Sequence, residues 1–189
     1  AEAEAETGQA AARPAVAAAV ARGGGRGRGR PAGRPAGRLS GHRRARSASD
    51  ESDGDGGFIL MSGDTILIES GSAIESDSLS SGNGGQIILS ASTSFRLNDA
   101  IVEAEALGSG NGGLVQIEAP DITLGEDGEV NISALSGSGD AGDLTISATS
   151  LTLDNSLIAT ETLTAGNAGH ATLTADTIIA TDAIIQGET

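Results

Sequence analysis

From Gly57 onward, apolar and polar residues alternate with a spacing of two, in short runs separated by glycine-rich turns. After each turn comes a run of the form apolar-x-apolar: Ile59-x-Met61, Ile87-x-Leu89, Val115-x-Ile117, Leu144-x-Ile146 and Ala171-x-Leu173. A period of two, not 3.6, is the signature of a strand with one buried face. A small residue follows in phase at Gly63, Ala91, Ala119, Ala148 and Ala175. A second set reads Ile66-x-Ile68, Phe95-x-Leu97, Ile122-x-Leu124, Leu151-x-Leu153 and Ile178-x-Ala180. A third, shorter set contains Ile74, Val102, Ile132, Ile158 and Ile185.

The turns recur as well. Ser81–Gly85, Ser109–Gly113, Ser138–Gly142 and Ala165–Gly169 end in glycines 28, 29 and 27 residues apart, and Gly57 lies 28 residues before Gly85. Self-similarity at such a period marks a repeat architecture. Three strands per period predict an all-β fold, a right-handed parallel β-helix of about five three-stranded coils. The coils are 57–84, 85–112, 113–141, 142–168 and a partial 169–189. Equivalent residues of successive coils then stack about 4.8 Å apart, so inward apolar positions form continuous ladders. No coil can bury its face alone. The chain is expected to be a slice of a longer solenoid, because no capping segment is recognisable at either end.

The structural turn residues are expected to be Asn83 and Gly85, Asn111 and Gly113, Asp140 and Gly142, and Asn167 and Gly169. Glycine at such corners is expected to supply a positive φ. A stacked Asn/Asp column is expected to hydrogen-bond the turn backbone.

Charge divides the chain. Residues 1–49 hold ten arginines against three acids, +7; residues 50–189 hold Arg96 alone against 23 acids, −22. Residues 1–56 form a low-complexity Ala/Gly/Arg-rich tail and acidic linker, with too little apolar surface to offset the entropy of ordering. The sequence predicts disorder there. Its Arg26-Gly27-Arg28-Gly29-Arg30 tract could contact phosphate backbones, but it has no aromatic, so nucleic-acid binding ranks below the other readings. The opposite signs also suggest that Arg22–Arg46 lies along the acidic coils.

Composition narrows the chemistry further. There is no Cys, hence no disulfide or thiolate site, and Phe58 and Phe95 are the only aromatics. No apolar run reaches the roughly 20 residues of a membrane helix.

The repeat Gly139-Asp140-Ala141-Gly142-Asp143-Leu144-Thr145-Ile146-Ser147-Ala148, followed by Ser150–Leu153, Leu157–Thr160 and Gly166-Asn167-Ala168-Gly169, resembles repeats of filamentous-haemagglutinin-like exoproteins of the two-partner secretion type. The resemblance covers 57–189; the family's Asn-Pro-Asn-Gly secretion domain does not occur in this sequence. It implies a secreted or cell-surface, structural and adhesive segment without catalytic activity or cofactor. The implied partners are a surface receptor, glycan or matrix component, together with further coils of the parent chain.

The residues bear on several other chemistries. A phosphate loop needs a Lys, and the chain has none. Asp140 and Asp143 are the candidate calcium ligands, although turn chemistry accounts for them without a metal. A polysaccharide lyase or hydrolase needs paired carboxylates on neighbouring coils. The outward first-strand positions Phe58, Gln86, Leu114, Asp143 and His170 offer none, so the chain is expected not to be an enzyme. An ice-binding or polysaccharide-binding solenoid is the alternative: Thr172-x-Thr174 and Thr145-x-Ser147 begin a Thr array that Gln116, Ile88 and Leu60 interrupt. The outward apolar residues Phe58, Leu60, Leu67, Ile88, Leu114 and Ile179 read as scattered exposure.

Overall fold

The structure, a computed structural model, describes residues 18–22, 38–39, 44–46, 55–163 and 165–189. Among these residues there are twelve strands and no helix, and all twelve strands belong to one sheet. The solenoid occupies Gly57 onward. Coil 1 is a single bent strand, β4 (Phe58–Glu75), and coil 2 another, β5 (Gln86–Glu103). Coil 3 divides into β6 (Leu114–Glu118), β7 (Asp121–Gly125) and β8 (Glu129–Asn131). Coil 4 comprises β9 (Asp143–Asp154) and β10 (Leu157–Ala159), and coil 5 β11 (His170–Thr181) and β12 (Ile184–Gln186).

Every pairing between these coils is parallel. Register runs from Ile59 to Ile87, Val115, Leu144 and Ala171 on the first face. On the second it runs from Ile66 to Phe95, Ile122, Leu151 and Ile178. These columns fill the core, and Phe95, the largest buried side chain, is fully enclosed. Burial of each Ile or Leu contributes roughly 1.5–3 kcal/mol. In coil 5 the core is half open: Ile178 of the second face and Ile185 of the third are 49% and 50% exposed.

The third face corrects one assignment. Its inward column is Ile74, Val102, Val130, Ile158 and Ile185, so coil 3 contributes Val130 and not Ile132. A slip of two residues leaves the buried face unchanged, and both side chains are buried; the apolar pattern therefore cannot separate them. Ile132 belongs to the next stretch of wall, where isolated parallel bridges join Ser78, Ala106, Ala134 and Thr162 in a fourth ladder. The small and hydroxyl-bearing residues of that ladder conceal it from a hydrophobic reading.

The corner before the third face is a further unforeseen column. Gly71, Asp99, Asp127, Asn155 and Asp182 all have positive φ, between 45° and 69°. Glycine, asparagine and aspartate are the residues that tolerate the left-handed region. Asp127 N–H donates to the carbonyl of Asn155 (2.9 Å), and Asn155 N–H to that of Thr181 (2.9 Å), so the corner is stitched from coil to coil.

Most of residues 1–56, where the sequence predicts disorder, lies outside the described residues. Within that segment β1 (Ala18–Arg22), β2 (Arg38–Leu39) and β3 (Arg44–Arg46) pair with coil 1. β1 runs antiparallel to Phe58–Ser62, and β2 and β3 run parallel to the second and third faces. At these ten residues the chain runs along the edge of β4, as an open sheet edge permits.

Candidate functional site

The turn residues singled out from the sequence meet in two adjacent columns. In the first, each side-chain oxygen accepts a hydrogen bond from the backbone N–H of its equivalent one coil on. Asp55 Oδ1 accepts from Asn83 (2.8 Å), Asn83 from Asn111 (3.0 Å), Asn111 from Asp140 (2.9 Å) and Asp140 from Asn167 (2.7 Å). Only an acceptor oxygen is required, so Asp and Asn are interchangeable in this bond. Asp140 Oδ1 also takes the Asn167 side-chain amide at 3.0 Å. Asp55, one period before Asn83, extends the expected column by one member.

The glycine column has a different cause from the one expected. Gly85, Gly113, Gly142 and Gly169 do not have positive φ. A Cβ on Gly113 would instead lie 2.1 Å from the carbonyl oxygen of Gly85, and one on Gly142 1.8 Å from that of Gly113. The same carbonyls accept the ladder bonds from Leu114 (2.9 Å) and Asp143 (3.0 Å). Close approach between coils, not turn conformation, selects glycine here.

Asp143 faces outward beside His170, whose Nδ1 lies 3.3 Å from Asp143 Oδ1, with the two side chains 62% and 89% exposed. Asp143 Oδ1 also accepts from the His170 backbone N–H at 3.3 Å. Asp140 and Asp143 thus belong to turn and ladder bonds on separate columns, and among the described residues no third carboxylate joins them.

The strongest concentration of chemistry lies on the third face, away from the outward first-strand positions. Register stacks Glu75 on Glu103 and then Asn131. Two residues further on, Asp77 stacks on Glu105, whose backbone N–H reaches Asp77 Oδ1 at 3.4 Å. Glu129 adds a fifth carboxylate in the column of Ala73 and Ile101. These residues line a groove of about 430 Å³, flanked by Asp99 and Asp127 of the left-handed corner. Glu75, Asp77 and Glu103 each place a carboxylate oxygen within 4.8 Å of the others, a span suited to the oxygen shell of a hard cation. Glu75 and Asp77 are buried.

Burial raises Glu103 to about 7, helped by the charges of Glu105, Asp77, Glu75 and Glu129. Burial likewise raises Glu105 to about 7, with Asp77, Glu129 and Glu75 adding to it. Glu129 is pushed up by burial and then by Glu161. Asn131 donates to Glu105 Oε1 at 3.0 Å, and Ser133 to Asn131. The basic side chains of coils 1–5 lie elsewhere: Arg96 in the second-face column of Leu67 and Thr123, His170 on the first face. The sequence did contain the signal, Glu-x-Asp at 75–77 and Glu-x-Glu at 103–105 separated by one period. Ile74 and Val102, one residue earlier, already share a column; what the sequence does not show is that the carboxylates beside them are buried.

The Thr array has the extent expected, with Thr172 on Thr145, Thr174 on Ser147 and Thr177 on Ser150; in coil 3 the column passes to Gln116 and Glu118. Of the outward apolar residues, Phe58, Leu60, Ile88 and Leu114 are half-buried in adjoining first-face columns of coils 1–3, forming a patch and not isolated exposures. No helix among the described residues is long and apolar enough to cross a membrane. Compared with family models, curated proteins and solved structures, the chain has no match.

Proposed function

We propose that this chain is a structural and adhesive segment of a secreted or cell-surface filamentous-haemagglutinin-like protein, acting without catalysis through its extended faces. The observation that supports it most is the coil-to-coil continuity of the outward columns. Hydroxyl, amide and carboxylate side chains are presented in straight rows along a rod, which suits an extended receptor, glycan or matrix component better than a small substrate. The acidic body keeps such rods apart by mutual repulsion. Its test is saturable binding of the full chain to arrayed glycans and matrix proteins, together with its location in fractionated source cells. Surface location and binding weakened by Thr145→Ala/Thr172→Ala or by Glu103→Gln support the reading. A cytosolic location, or a turnover activity that disappears on His170→Ala, contradicts it.

A further inference from the structure

The residue that follows each rung of the fourth ladder is leucine. Leu79, Leu107, Leu135 and Leu163 succeed Ser78, Ala106, Ala134 and Thr162 at intervals of 28 residues. Their backbone is in register: the N–H groups of Leu107, Leu135 and Leu163 donate to the carbonyls of Ser78, Ala106 and Ala134 at 2.8, 2.9 and 3.1 Å. The ladder residues are buried, so the leucines beside them stand outward. Leu163 is 72% exposed, Leu79 45% and Leu107 37%, and Leu135 is half-buried. Core packing does not account for residues so open. The outward first-face row, by contrast, changes at every coil, from Phe58 through Gln86, Leu114 and Asp143 to His170. One residue before the ladder runs a second row, Asp77, Glu105, Ser133 and Glu161, of which Glu105 and Glu161 are half-buried. Leu107 and Glu105 line the same groove as Glu103 and Glu129. A leucine ridge and a row of carboxylates therefore run side by side along the rod axis.

We propose that this double stripe is a docking surface for a basic amphipathic helix of a partner protein. The helix lies along the rod axis, its apolar side on the leucines and its cations on Glu105 and Glu161. Spacing selects a helix. Rungs stand about 4.8 Å apart, against about 5.4 Å for a helical turn and about 6.6 Å between same-face residues of a strand. Over the three steps from Leu79 to Leu163 a helix drifts by about 2 Å, and a strand by about 5 Å, a full rung. Charge selects a basic partner, because complementary potentials steer and orient docking. Apolar anchors set in a groove are the ordinary means by which such a helix is held. A second copy of this chain is a poor occupant. It would set Glu105 and Glu161 against their own kind, and a ridge about 14 Å long falls well short of the roughly 800 Å² per partner that a stable dimer buries. The surface rests on the reading of the chain as a rod that binds through extended faces.

Fluorescence anisotropy of a labelled Leu/Lys peptide titrated with the full chain tests this. The peptide spans about four helical turns with leucine at every third or fourth position; the reference is an isomer of identical composition in which the leucines alternate as in a strand. In about 0.15 M NaCl the helical peptide is expected to bind saturably, and at least about tenfold more tightly than the isomer. Leu107→Ser/Leu135→Ser/Leu163→Ser is expected to weaken it at least about tenfold, with the β signal retained in circular dichroism. Glu105→Gln/Glu161→Gln, which leaves the leucines in place, is expected to weaken it about threefold or more and to flatten its salt dependence. Equal binding of the two peptides overturns the proposal, since net charge alone would then account for both. So does undiminished affinity in the triple leucine variant. Self-association of the full chain that competes with the peptide and vanishes in that variant would assign the ridge to a second copy, and overturns it as well. Glycan and matrix binding is read at the row of Thr145 and Thr172, so a negative peptide result leaves the adhesive reading standing.

Discussion

The turn column Asp55–Asn83–Asn111–Asp140–Asn167 and the third-face columns Glu75–Glu103 and Asp77–Glu105 arise from the same device. A parallel coil places like positions one above another, so whatever one residue does is repeated at every rung. At the turn the repetition is favourable, because each oxygen finds the N–H of the next coil. The two aspartates there are separated by asparagines, and no two carboxylates are adjacent. On the third face carboxylates do stack directly, and burial, with the repulsion of these neighbours added to it, pushes Glu103 and Glu105 up to about 7. The turn is satisfied by hydrogen bonds from coil to coil, whereas the groove brings like charges together.

The largest effect is expected where neither charge nor hydrogen bonding is at issue. Gly113→Ala would put a methyl 2.1 Å from the Gly85 carbonyl, and coils 2 and 3 must separate to admit it. A loss of about 3 kcal/mol or more is expected in chemical denaturation; a loss under about 1 kcal/mol would show that the coils are not in this contact. Next, Asn111→Ala removes one acceptor from the turn column and should cost about 1–2 kcal/mol. Asn111→Asp keeps the acceptor but sets a carboxylate beside Asp140, so its smaller loss should shrink in high salt.

The acidic face should respond in the opposite direction. Folded-state values near 7 lie above the ordinary 4.5, so the folded chain retains protons that the unfolded chain has released. Stability is then full below about pH 4.5 and declines as pH rises through about 7. Glu103→Gln/Glu105→Gln is expected to raise Tm at pH 8 by roughly 2–5 °C and to flatten the decline between pH 5 and 8. A lowered Tm with an unchanged pH profile would remove the repulsion from the account. The smallest effect belongs to His170→Ala: an exposed pair of this kind should change stability by no more than about 0.5 kcal/mol.

The fold was legible because its evidence is periodic. Alternation of two at Ile87-x-Leu89 and its four equivalents, with turns every 27–29 residues, leaves a parallel coil as the arrangement that buries every apolar row. Three things were not legible, for physical reasons. The fourth ladder, Ser78–Ala106–Ala134–Thr162, is built of small and hydroxyl residues that carry no hydrophobic signal. Val130 and Ile132 differ by an even number of residues and so look alike to an alternation test. The need for glycine at 113 comes from a carbonyl 28 residues away, which no local turn preference can reveal. The acidic groove was hidden for a different reason: Ile74 and Val102 already set Glu75 on Glu103, but carboxylates beside a short strand look like a solvated surface until their burial is known.

Register is therefore the claim on which both columns rest, and engineered thiols measure it directly, since the chain has no cysteine of its own. Ser90 and Glu118 are outward, in-register neighbours on coils 2 and 3. Ser90→Cys/Glu118→Cys should oxidise to near completion, a rung spacing of about 4.8 Å lying within the Cα separation that a disulfide accepts. Ser90→Cys/Gln116→Cys, two residues out of register on the same face, should remain largely reduced under the same conditions. Equal oxidation of the two pairs, or preferential oxidation of the second, would contradict the stacked columns and everything built on them.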